Sequence, residues 1–136
     1  MSRRNAALSL AGAVALATAG CGGGGALSGK ALQQEATTLQ ALAAEGSLLA
    51  QGAARGDTTR PFLRVHAGYL HDAARSSAAA LAKGQTAGAH QLRALADRVR
   101  DELGRLSHSG SDRAAQGRLA DELSSLARSV EQLGTS

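Results

Sequence analysis

Cysteine, proline and aromatic side chains are nearly missing from this chain of 136 residues, which has one Cys, one Pro, one Phe, one Tyr and no Trp. One cysteine excludes any internal disulfide, so the fold must be held by packing alone. With Phe62 and Tyr69 as the only aromatics, there is almost nothing on which nucleic-acid bases could stack. β-branched residues are scarce and strand-like alternation is absent, which excludes a sheet protein. The uncharged run Ala6 to Ala19 has fourteen residues. That falls short of the roughly 20 needed to cross the hydrocarbon core of a bilayer.

Charge excludes a second class. The formal net charge of +4 falls to +2 once Arg3 and Arg4 are set aside. The high isoelectric point therefore does not mark a nucleic-acid binder, and no nucleic-acid partner is expected. Locally, Arg55 to Lys83 carries five basic residues against Asp57 and Asp72. Arg60, Arg64 and Arg75 are the candidates there for contact with an anionic surface, where each adds about 1 kcal/mol.

What the chain has in plenty is alanine and leucine, the residues of highest helix propensity. A first helix is expected from about Leu27 to Gln51, where Leu32, Leu39, Leu42 and Leu49 line one face and Gly46 fills a core place. Gly52, Gly56 and Asp57 are read as the break after it. Thr58, Thr59 and Pro61 start a second helix, through a threonine cap and a proline in the first turn. Its apolar stripe is read as Phe62, Val65, Tyr69, Ala73 and Ala80, widened by Leu63, Leu70 and Leu81. After the short break Lys83-Gly84-Gln85-Thr86, a third helix runs from about Ala87 to Leu106 on Leu92, Leu95, Val99, Leu103 and Leu106. Arg93/Asp97, Arg98/Glu102 and Asp101/Arg105 are spaced to pair on its solvated side, each pair contributing about 0.2–0.5 kcal/mol. Ser111 or Asp112 caps a last helix carrying Leu119, Leu123, Leu126, Val130 and Leu133, which Gly134 stops.

Four helices with short connections predict an all-α, antiparallel up-down four-helix bundle. The alternative is a three-helix bundle with a loosely attached first helix. Alanine-rich faces bury little area, so self-association through a spare stripe is a further expectation.

Residue patterns for chemistry are thin. His66 and His71 lie five apart, roughly 140° around a helix of 3.6 residues per turn, so they do not share a metal as an i, i+4 pair would. No Glu-x-x-His pair, Gly-x-Ser-x-Gly elbow or phosphate-binding loop is present. His71 and Asp72, being adjacent, make a poor catalytic pair. The expectation is no enzyme, no cofactor and no metal site.

The most informative stretch is Leu16 to Gly25, reading LATAGC and then GGGG. Before it stand a short basic segment with Arg3 and Arg4 and the fourteen uncharged residues, a length that suits a signal peptide. Ala19 and Gly20 then precede Cys21, with Thr18 where a bulky aliphatic residue is usual. This order resembles a bacterial lipoprotein signal peptide, of the kind found on many small lipoproteins of high-GC bacteria. The resemblance implies a signal peptide over residues 1–20, acyl groups such as palmitate on Cys21, and a glycine-rich tether over 21–26. The bundle would then occupy 27–136.

The expected role is a membrane-anchored extracytoplasmic helical lipoprotein, serving as an interaction or structural module of the cell envelope. Its partners would be the membrane, through lipid on Cys21, and an envelope protein or a second copy. The competing reading is a carrier of a small ligand or metal that uses the region around Phe62, His66 and Tyr69.

Overall fold

The computed structural model describes residues 27–135. They form four helices, α1 (Gly29–Arg55), α2 (Arg60–Leu81), α3 (Ala87–Ser107) and α4 (Arg113–Gly134), and no strand is present among the described residues. The segment read as signal peptide, Cys21 and the glycine run lie outside the described residues.

Local chemistry sets the ends of the helices. The Ser28 hydroxyl accepts the Ala31 N–H at 3.1 Å and opens α1. That helix runs four residues past its expected end at Gln51. Gly52 does not stop it, because it serves packing instead: it is buried, and a Cβ there would lie 3.0 Å from Thr58 Oγ1. The stop is Gly56, whose φ of 81° is left-handed, and whose N–H turns back to the helix carbonyls. Thr59 holds the N-cap position of α2 but makes no side-chain cap bond, contrary to the expected threonine cap. Thr86 caps α3 through the Ala89 N–H, and Asp112, rather than Ser111, caps α4 through the Ala115 N–H.

Neighbouring helices run antiparallel around one core. Leu39, Leu70, Leu81, Leu103, Leu106, Leu123 and Leu126 are fully buried there, with Val99, Val130 and a set of alanines between them. α1 packs most extensively on α4, and α2 on α3. Gly46 faces Leu103 across the diagonal and Leu123 on α4, in the core place expected for it. Ser47, buried beside it, donates to the Ala120 carbonyl at 2.8 Å. α1 is thus the most deeply engaged helix, which overturns the three-helix alternative. Small residues explain why, since a glycine and alanine face lets α1 approach close enough to touch α3 across the bundle.

The stripe assigned to α2 needs correction. The buried residues are Leu63, Ala67, Leu70, Ala74, Ser77, Ala78 and Leu81, while Phe62, Val65 and Tyr69 are exposed. Two apolar stripes lie side by side on this helix, and α2 can insert only one between α1 and α3. The stripe of leucine and alanine is the one buried: it runs the whole length of the helix from Leu63 to Leu81, whereas Asp72 and Ser76 interrupt the other beyond Tyr69.

The side of the bundle formed by α3 and α4 is charged. Arg100 pairs with Asp97 and Asp101 at 2.9 Å, Arg105 with Glu102 at 3.2 Å, and Arg98 reaches Glu122 on α4 at 3.9 Å. The face is solvated as expected, but its pairs join residues one or three apart, or cross to α4, in place of the expected i, i+4 ones. Hydrogen bonding to Asp101 pushes the Arg100 guanidinium above its ordinary pKa.

Candidate interaction face

Every exposed large apolar side chain among the described residues sits on the other side, on α1 and α2. They are Leu48 (67% exposed), Phe62 (56%), Val65 (69%) and Tyr69 (69%). Phe62, His66 and Tyr69 recur at helical spacing along α2 and stack in sequence. Phe62 and His66 have ring centroids 5.3 Å apart and nearly parallel planes, and His66 and Tyr69 are 6.5 Å apart. The half-buried His66 meets Glu45 of α1, Nε2 to Oε1, at 2.7 Å. With the Ser77–Glu35 contact it gives the register of the two antiparallel helices, in which Leu48 stands level with Phe62 and Ala41 with Tyr69.

α1 supplies a neighbour with few charges. Between Lys30 and Arg55 its only charges are Glu35 and Glu45. Both turn toward α2, Glu35 accepting the buried Ser77 hydroxyl at 2.7 Å and Glu45 meeting His66. The outer ridge of α1 carries Ala41, Ala44 and Leu48 in its middle, all exposed, with Gln34, Thr37, Thr38 and Gln51 toward its ends. The result is an apolar patch spanning the two helices, bordered by Gln34 and Thr38 of α1 and by Asp72 and Ser76 of α2. Its charged groups are already partnered within the chain.

Phe62, His66 and Tyr69, expected together on sequence grounds, are indeed brought together, but on open surface. The largest cleft described, of about 450 Å³, lies at the other end of the bundle. Leu32, Ala36, Leu92 and Leu133 line it, with Gly29 and Gly88 at its rim.

The arginines occupy the opposite flank of α2. Arg60 and Arg64 border a cleft of about 310 Å³ with Ser107 and His108, at the C-terminal end of α3. Arg75 is exposed one turn beyond His71, whose ring lies against Gly104 of α3. Basic and aromatic side chains therefore do not share one surface. Adjacent His71 and Asp72 do meet, Nδ1 to Oδ1, at 3.2 Å, with Asp72 largely in solvent. Among the described residues, no three of His, Cys, Asp and Glu converge as metal ligands would, and no helix is long and apolar enough to cross a membrane.

Leu48 and Val65 are the members of this face that sequence reasoning missed. A signal for Leu48 was present in Leu48-Leu49, since neighbouring helical residues point about 100° apart and a surface helix buries only one stripe. Val65 gave no such signal, because it belongs to an apolar stripe of its own. Compared with protein-family models, curated proteins and solved structures, the chain matches none.

Proposed function

We propose that this chain is a membrane-anchored, extracytoplasmic helical lipoprotein acting as an interaction module of the cell envelope. The observation that carries the interaction reading is the α1–α2 face. A chain with only two aromatics leaves both of them in solvent, aligned with Leu48 and Val65. Contiguous apolar surface of this kind marks association sites on soluble domains.

The location rests on the order of basic segment, uncharged run, small residues and Cys21, followed by glycines that lead into α1. Two acyl chains on Cys21 hold a protein stably at a bilayer, each buried CH₂ adding about 0.8 kcal/mol. The test is the intact mass of the protein from the membrane fraction, beside a Cys21→Ser variant. A chain beginning at Cys21 and heavier by lipid, with that mass lost in the variant, is the expected result. An unlipidated chain in the medium or inside the cell would overturn the anchor.

A second reading, a small-ligand carrier, finds its specific support in the cleft beside Leu32, Leu92 and Leu133 rather than at Phe62, His66 and Tyr69. A carrier gains melting temperature with its ligand by mass action. An apolar ligand that raised the melting temperature in wild type but not in a Leu92→Gln variant would favour it.

A further inference from the structure

We infer that the α1–α2 face is covered by the same face of a second copy of this chain, related by a two-fold axis running along the helices. The inference deepens the interaction-module reading and rests on it.

Self-complementarity is the first argument. An isologous contact requires one patch to hold both halves of the fit. Here α2 projects the large side chains Phe62, Val65 and Tyr69, while α1 presents the small Ala41 and Ala44 beside Leu48. An axis along the helices lays α1 of each copy on α2 of the other without changing height. Tyr69 then comes level with Ala41 of the second copy, Val65 with Ala44, and Phe62 with Leu48. An axis across the helices would set the small residues of α1 against one another and the bulky ones of α2 against one another.

Size is the second argument. At the observed exposures, the four large side chains present roughly 500 Å² of surface, given 150–250 Å² for a whole aromatic side chain. With the surrounding alanines, this approaches the roughly 800 Å² per partner of a standard interface. Interface cores are poor in free charge and rich in aromatics, and this face is both, because Glu35 and Glu45 are already engaged.

Polarity argues against a lipid surface as occupant. A membrane-binding face joins aromatics to basic residues, and Arg60 and Arg64 lie instead on the α3 flank of α2. The axis along the helices also places the Gly29 ends of both copies on one side. Two chains anchored in one bilayer require that arrangement.

The test uses the full chain. Light scattering in mild detergent should give a dimer, and Phe62→Glu should halve the mass while helical circular dichroism is kept. In membranes, co-expressed Ala41→Cys and Tyr69→Cys chains should form a covalent dimer several-fold more readily than either alone. A monomer for the unaltered chain, or a dimer indifferent to Phe62→Glu, overturns the inference. Ala41→Cys cross-linking alone as well as in the mixture overturns the stated axis. A monomer whose Tyr69 fluorescence is quenched by brominated lipid in anionic vesicles, and is not quenched after Phe62→Glu, assigns the face to lipid and overturns it as well. The intact mass at Cys21 is read separately, so a lipidated monomer defeats the dimer and leaves the anchor standing.

Discussion

A Cβ placed on Gly46 of α1 would stand 2.5 Å from Leu103 Cδ2 of α3, across the diagonal of the bundle. Leu103 is fully buried and Leu123 Cδ1 closes in at 3.2 Å, so there is little room for either to yield.

Gly46→Ala therefore sets two terms against each other. Helix propensity favours alanine by about 1 kcal/mol, while overpacking costs about 1–3 kcal/mol. The net expectation is a loss of about 1 kcal/mol, or a fall in melting temperature of roughly 4 °C for a domain of this size. Leu103→Val in the same chain should recover part of it. A melting temperature raised by Gly46→Ala alone would contradict the close packing.

Ser47 makes a buried side-chain hydrogen bond from α1 to α4, to the Ala120 carbonyl. Ser47→Ala fits the same space and should cost about 1 kcal/mol in urea unfolding, the usual worth of such a bond. The partner is a carbonyl inside a helix, so its own backbone bond remains and the cost stays moderate. No change in the urea midpoint would show that the bond contributes nothing.

The two stripes of α2 should separate cleanly by mutation. Leu70→Ala removes a fully buried side chain and should cost about 2–5 kcal/mol. Tyr69→Ser, one residue away and exposed, should change the stability of the monomer by no more than about 0.5 kcal/mol. Thermal melts of the two variants at low protein concentration decide it. Equal losses would return Tyr69 to the core.

Glu45 and His66 meet across α1 and α2 but add little to stability. Their side chains remain 52% and 34% exposed. Solvent screening therefore limits the pair to about 0.2–1 kcal/mol. A double-mutant cycle with Glu45→Gln and His66→Ala should return a coupling in that range, smaller in high salt. A coupling of several kcal/mol would mean that the pair is far better shielded than it is here.

Composition and spacing were enough to establish four helices, their connections and most of the core. Leucines at helical spacing with glycine and proline at the breaks leave few alternatives, and the stripe of α4 became the buried face as expected, with only Leu133 partly covered. A lone glycine is a weaker signal. Gly52 looked like a stop because sequence cannot distinguish a glycine used for backbone freedom from one used for close packing against Thr58. What only the tertiary structure decided was which of two apolar stripes on α2 is buried. Helical periodicity specifies that an apolar face exists, but its burial depends on what the neighbours accept. On α2 the stripe that is leucine and alanine along the whole helix faces α1 and α3, so Leu63, Leu70, Leu81 and the alanines enter the core, and Phe62, Val65 and Tyr69 become the surface.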